Sequence, residues 1–592
     1  MSRRFSKAGW VVLASLLAFS LIVLPACGQP AETTTTTTAT QVKNPGVFVQ
    51  QTIGDLDSLD PAWGYDTASG EQVQYIYETL VFYDGESTGE FVPVLATEWN
   101  VSDDGLTYRF KIREGVNFHD GGDLTPSDVE YSFERSMVQD RDGGPVWMFF
   151  EPLLNGYGTR DGGGNIVVPF ADIDNAVEVD GQWVQFNLAI PYPPFLQVLC
   201  GPWASIVDKE WCAANGGWDG TEATWQQYNN PDPGATELHA QANGTGPWKL
   251  ERWESGVQIS LVRNDNYWRE PAAFERVVTQ VVDEWTTRKL ALQAGDADLV
   301  YVPRAYIGEL EDVEGLTVYQ GLPELTVDAF FFNMDINPES TFVGSGQLDG
   351  QGIPLDFFSD IDVRKGFNYA FNWDTYINDV MLGEGEQRGS PVIDGLVYFN
   401  PDTPMYSHDL EKAEEHLMAA WGGEVWEKGF KFTLAYNAGN LPRKTACEIL
   451  AENLLAINPK FQVSIQPMQW PALLRDMVTG IMPMFQIGWQ ADYPDPHNFV
   501  HPFMHSQGTF SAWQGYNNPE VDALIEEGIQ ETDTEAREAI YEELQELYYE
   551  DAPGIMLCQP LGRRYFRDWI EGFYFNPIIP GLPGNLYAMS KG

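Results

Sequence analysis

Alternation and periodicity are clearest toward the C-terminal end. Met484-Phe485-Gln486-Ile487 is a hydrophobic run that predicts a buried strand. Lys431 to Tyr436 alternates apolar and polar side chains, the period of a half-buried strand, and Phe461 to Ile465 reads as another. Between them, Thr445 to Ile457 places Ala446, Ile449, Leu450 and Leu454 on one helical face. Strand, helix and strand at this spacing imply a right-handed crossover and a parallel sheet. The segment Gly488-Trp489-Gln490-Ala491-Asp492-Tyr493-Pro494-Asp495-Pro496 then leaves the Met484 strand and puts a carboxylate, Asp492, just past its C-terminal end. Ligands of open α/β sheets bind there, because strand ends converge on a crevice and the loops leaving them are free to carry polar groups. Asp495, between two prolines, reads as a turn residue. Asp103-Asp104-Gly105 before Leu106 to Phe110 predicts a hairpin turn feeding a strand, and Thr532-Asp533-Thr534-Glu535 fits a capping box opening a helix.

The N-terminus has a different pattern. Arg3, Arg4 and Lys7 precede an apolar run from Ala8 that ends in Leu24-Pro25-Ala26-Cys27, an export signal with a lipobox-like end. Residues 1–27 therefore read as a lipoprotein signal, Cys27 as the acylated anchor, and residues 28–45, with threonines from 33 to 38, as a tether too polar to bury surface. Residues 1–27 hold three basic and no acidic side chains, so the remaining 565 residues carry 31 basic against 86 acidic ones. That balance argues against nucleic acid and anionic lipid surfaces as partners; it fits cationic ligands, and equally the adaptation of an exported protein to salty or acidic surroundings. Cys200, Cys212, Cys447 and Cys558 remain; four thiols allow three connectivities, with Cys200 to Cys212 the nearest pair by spacing. Without CxxC or HExxH, no metal or cofactor is expected. A chain of this length exceeds one core, so at least two lobes are expected.

An ordered set of motifs carries a family resemblance. Leu59-Asp60-Pro61, Ile76-Tyr77-Glu78-Thr79-Leu80 and Val94 to Trp99 come first, then Asp103 to Phe110, Arg113 to Val116, Phe118-His119-Asp120-Gly121 and Asp128 to Ser132. Gly244-Thr245-Gly246-Pro247-Trp248, Arg263 to Trp268, Leu292 to Asp298, Val363 to Phe367 and the Asp492 loop follow. Together they resemble the extracytoplasmic solute-binding proteins of family 5, the oligopeptide, dipeptide and nickel receptors of ABC importers. The resemblance implies an α/β, two-lobed periplasmic-binding-protein fold of the large three-part variety, with a ligand cleft between lobes joined by hinge strands. By position, residues 46–80, 243–326 and 546–592 would form lobe I, 81–242 its extra subdomain, and 327–545 lobe II.

The same resemblance assigns a site. Asp492 would pair with the α-ammonium of a peptide, a charge-assisted bond in a low-dielectric cleft. Tyr65, Asp66 and Thr67 on one side, and Gly488, Trp489 and Gln490 on the other, would hold the peptide backbone as an added strand is held. Trp470 stands where oligopeptide receptors keep a pocket aromatic, Asn437 and Asn440 are neutral polar candidates, and Tyr493 completes the set. Two departures matter: Gln486 and Leu434 occupy the positions at which relatives carry a basic residue, so no carboxylate anchor is visible. The resemblance thus implies a non-enzymatic receptor, monomeric, lipid-anchored on the outer face of the cytoplasmic membrane, that delivers peptides to a permease driven by cytoplasmic ATPases. An oligosaccharide or other non-peptide solute in the same fold is the alternative. A secreted glycoside hydrolase, which would need two carboxylates at a defined separation, is the remote one.

Overall fold

The computed structural model describes residues 42–232 and 237–592. The export signal, Cys27 and the threonine tract lie outside the described residues. Val42–Gly592 is one compact unit, built on a twelve-stranded sheet whose main path runs Phe461–Met468, Phe430–Asn437, Met484–Gln490, Thr326–Phe332, Gly554–Arg567, Leu299–Val300, Val47–Thr52, Arg276–Val281, Gln258–Arg263, Trp248–Glu254. The expected strand–helix–strand unit is there. Phe430–Asn437 and Phe461–Met468 pair in parallel over their whole length, with the helix Leu441–Ile457 between them in the chain. That helix opens four residues earlier than its apolar face predicts, because Asn440 caps it by accepting from the Arg443 amide and Pro442 needs no amide partner in the first turn.

Two lobes share this sheet through a single 14-residue strand, Gly554–Arg567. Its first residues pair with Thr326–Phe332, and its last, from Leu561, pair with Leu316–Pro323. The buried apolar side chains fall mainly into two clusters. Phe332, Phe358, Phe367 and Phe432 interlock in one, with stacked and edge-to-face rings 5.0 to 6.3 Å apart, the spacing at which aromatic pairs add to simple burial. Phe48, Leu261 and Val277 belong to the other, which extends through a four-stranded sheet of Ala96–Val101, Thr107–Ile112, Trp183–Asn187 and Val177–Asp180.

Most of the motifs are structural. In the Asp103–Gly105 turn, Gly105 takes a φ of 69° and Asp104 accepts from the Leu106 amide. Asp60 forms a buried bidentate pair with Arg135. Gly244 and Gly246 lie against the carbonyl of Ile76, where a Cβ on Gly244 would come within 2.1 Å, so the Gly-Thr-Gly-Pro segment is a close crossing over a helix end. Two expectations are corrected. The C-terminal helix spans Thr534–Asp551 and is capped by Asp533, which accepts from the Ala536 amide, so Thr532 forms no capping box. Among the described residues, Cys200, Cys212, Cys447 and Cys558 are buried free thiols, so Cys200 and Cys212 are not bridged. No helix among the described residues is long and apolar enough to cross a membrane.

Candidate functional site: the cleft at the strand ends

A cavity of about 570 Å³ opens at the ends of the central strands, within the roughly 300–1,000 Å³ typical of small-molecule sites. Ten of the eleven sequence-derived candidates line it: Tyr65, Asp66, Thr67, Asn437, Asn440, Trp470, Gly488, Trp489, Gln490 and Asp492. Tyr493 does not. It is fully buried behind the loop, sharing a 2.9 Å hydrogen bond with the Tyr192 hydroxyl.

Asp492 is the chemical centre. The strand Met484–Gln490 is buried between Thr326–Phe332 and Phe430–Asn437, which fixes where its last residue ends. The helix His497–Met504 fixes the loop from the other side, since Asn498 accepts from the Asp492 amide at 2.7 Å and donates to Asp492 Oδ2 at 3.0 Å. Asp495 holds the turn itself, capping the His497 amide and pairing with Arg537 through both oxygens at 2.9 and 3.0 Å. Across the cleft, the Tyr65 hydroxyl donates to Asp492 Oδ2 at 2.7 Å and accepts from the Trp147 indole at 3.1 Å. Tyr65 is wedged edge-on against Trp203 and Trp489. Burial pushes the Asp492 carboxyl up to about 7 despite the bonds from Asn498 and Tyr65, and burial next to Asp492 raises the Tyr65 phenol well above its ordinary value. With both bonds landing on Oδ2, the carboxylate has acceptor capacity left on Oδ1 and a desolvation penalty that a bound cation would relieve.

The remaining candidates do different work. Asp66 is the N-cap of Thr67–Ile76, accepting from the Ala68 and Ser69 amides and the Ser69 hydroxyl, and burial lifts its carboxyl to about 6. Gln490 donates to the Pro577 carbonyl at 3.0 Å, tying the strand end to the C-terminal segment. Gly488 leaves open the space beside Asp328 and Arg443. Trp470 begins the helix Trp470–Val478 and lies half-buried on the wall, while Asn440 lines the cavity but spends its side chain on its cap.

Sequence reasoning missed Glu71 and Arg443. Glu71 sits inside the helix Thr67–Ile76, bonded to the Gln50 and Gln72 amides and the Leu582 amide, and burial lifts it to about 7. Arg443 faces Asn437 and Trp470; the Asn-Leu-Pro start of its helix was the signal that would have placed it beside the strand end. Among the described residues no group of three or more His, Cys, Asp or Glu side chains could hold a metal.

Comparison with known proteins gives the same picture. Residues 90–511 match the family model described as bacterial extracellular solute-binding proteins, family 5 Middle. Heme-binding protein A of Haemophilus influenzae is 26% identical over 577 residues, covering 95% of this chain and 96% of that protein. The dipeptide-binding protein of Escherichia coli is 26% identical over 553 residues, with 90% of each chain covered. Among solved structures, the periplasmic binding protein DppA of Helicobacter pylori in complex with the peptide STSA superposes with a TM-score of 0.75 at 25% identity, over 92% of this chain and 98% of that one.

Proposed function

From the premise that this chain belongs to the bacterial extracellular solute-binding proteins of family 5, we propose that it captures peptides in the cleft and hands them to an ABC importer, with Asp492 as the partner of the ligand's α-ammonium group. The observation that carries this reading is the position of Asp492: a carboxylate at a strand end, in the cavity, pushed up by burial and reached across the cleft by Tyr65. An ammonium is the ligand group that such a carboxylate rewards, since ion pairing restores the ionised form that burial disfavours. The backbone edges at Tyr65 to Thr67 and Gly488 to Gln490 offer an extended chain its hydrogen bonds, and Trp470 and Trp489 offer flat apolar surface to its side chains.

Tyr65 and Asp492 are 427 positions apart and belong to opposite walls. A peptide whose ammonium takes the free Oδ1 of Asp492 beside Tyr65 touches both walls at once, so it stabilises the closed arrangement, and the strand shared by the lobes absorbs the rotation. The function needs no bond chemistry. Cys27 as a lipid anchor on the outer face of the cytoplasmic membrane, and a monomeric receptor serving a permease with cytoplasmic ATPases, complete the proposal. Heme-binding protein A shows by its name that a relative of this length takes a non-peptide ligand, so ligand identity is the first thing to measure. Native mass spectrometry of the mature protein purified under mild conditions should reveal retained masses that fragment as peptides. A retained sugar or tetrapyrrole would overturn the peptide reading.

A further inference from the structure

Three of the chain's seven histidines, His497, His501 and His505, recur at four-residue spacing along the helix His497–Met504 and its cap, and all three are buried. Their rings form a ladder, with centres 5.5 Å apart from His497 to His501 and 4.8 Å apart from His501 to His505. Each outer ring faces a carboxylate. His497 Nε2 lies 2.8 Å from Glu151 Oε2, which also accepts from the Tyr192 hydroxyl at 2.9 Å. His505 Nε2 lies 3.4 Å from Glu526 Oε1, with Asp522 held close by through the Ser506 amide and hydroxyl. His501 has no such partner. Among the described residues neither of its ring nitrogens is hydrogen-bonded, and its neighbours are the Trp147 ring, stacked at 4.3 Å, and the Tyr157 ring at 4.7 Å. Burial, then the imidazoles of His505 and His497, hold His501 well below the ordinary histidine value.

The same junction supports both cleft groups. Trp147 and Glu151 stand one turn apart on the helix Trp147–Leu154, and the Trp147 indole donates to the Tyr65 hydroxyl at 3.1 Å. Asn498, next to His497, holds Asp492 by its amide and by Oδ2. If the helix Trp147–Leu154 parts from His497–Met504, Tyr65 and Asp492 both lose their fixed positions. We propose that the histidine ladder is an acid-sensitive clasp: neutral His501 lets the two helices pack, and its protonation parts them and frees the Asp492 loop, whatever solute the cleft holds. The driving force is a proton that only the parted form accepts. Between Trp147 and Tyr157 a histidinium would gain some attraction from the ring faces, but it would be desolvated without an acceptor, and a proton on His497 or His505 would set a like charge one rung away. Glu151, Glu526 and Asp522 steady charge on the outer rings rather than on the middle one. The Tyr157, Tyr192 and Tyr493 hydroxyls, raised by burial, stay protonated throughout. Once water reaches it, His501 binds a proton below about 6.5. A histidine depressed in the packed form therefore favours packing fully above that pH, and the ratio of parted to packed protein rises about tenfold per pH unit below it.

The test is hydrogen exchange of the ligand-free mature protein, read by mass spectrometry in segments covering Trp147–Leu154 and residues 491–505, at steps from about pH 7.5 to about pH 5. Wild type is compared at each pH with His501→Phe, which keeps a ring between Trp147 and Tyr157 and cannot take a proton. Comparison at equal pH cancels the intrinsic exchange rate. It also cancels the opposite drift of Asp492 and Asp66, whose carboxyls, raised by burial to about 7 and about 6, are relieved by acid. The wild-type opening constant divided by that of the variant should be flat above about pH 7 and grow about tenfold per pH unit below about pH 6. A ratio that stays constant across the range overturns the clasp. Ring-labelled histidine NMR of wild type gives a second reading that does not need the variant to fold: the His501 ring should stay neutral from about pH 7.5 to about pH 5 while the helix is protected. A His501 ring that titrates near 6.5 with both segments still protected overturns the proposal, because the packed form would then accept the proton.

Discussion

Asp492 is held in a state that costs the empty protein stability. Its carboxyl sits at about 7 against 3.8 for the unperturbed group, because burial penalises the charge. A group raised in the folded state contributes stability below its unfolded value, near pH 4, and that contribution is lost as pH rises through 7. Asp492→Asn removes the charge while keeping the size of the side chain, so the ligand-free mutant should be more stable than wild type at pH 8, by about 1–2 kcal/mol once water in the cleft is allowed for. The difference should vanish near pH 4. Denaturant titration at the two pH values checks this, and equal stability at pH 8 would show that the carboxylate is not strained. The position of Asp492 at the strand end was legible in the sequence because an apolar run and a turn-rich loop mark a strand end without tertiary help. Glu71 and Arg443 were not. Glu71 acquires its environment from Gln50 and from Leu582, more than five hundred positions downstream, and Arg443 from Asn437 and Asp328.

At the level of elements, the helix Thr67–Ile76 shows how local chemistry positions a side chain that lines the cleft. Asp66 caps it through the Ala68 and Ser69 amides, and Tyr65, the residue before the cap, takes its direction from that start. Asp66→Ala should destabilise the protein by about 1 kcal/mol, the usual value of an N-cap, whereas Asp66→Asn should not, because asparagine caps equally well. Equal losses in urea unfolding would mean that the charge, not the cap, matters. The strands of the crossover unit were legible because each is bounded by a change of pattern. The longest strand was not: Gly554–Arg567 carries Arg563, Arg564 and Arg567, and charges along a strand obscure its pattern until Glu384 and Glu324 are seen to satisfy the first two. Nor can sheet order be read from periodicity. Thr326–Phe332 lies between Met484–Gln490 and Gly554–Arg567, strands more than 150 residues away in the chain.

Over the whole molecule, segments far apart in the chain meet behind the Asp492 loop in buried contacts that are polar as well as aromatic. Beyond Tyr65 and Asp492, Glu151 meets His497 at 2.8 Å, Tyr192 donates to Glu151, and Trp147 stacks on His501 with ring centres 4.3 Å apart. The two-lobed fold was foreseeable from the motif order, but these buried contacts were not, because their members are scattered from position 147 to position 501. The central claim is that a peptide closes the lobes by offering its ammonium to Asp492. Small-angle scattering of the mature protein with a saturating free tripeptide, with its N-acetylated analogue at the same concentration, and with Asp492→Asn in place of wild type, tests this most directly. The radius of gyration should fall only when the free peptide meets wild type. Tight binding without compaction, or equal compaction by the acetylated peptide, would contradict it.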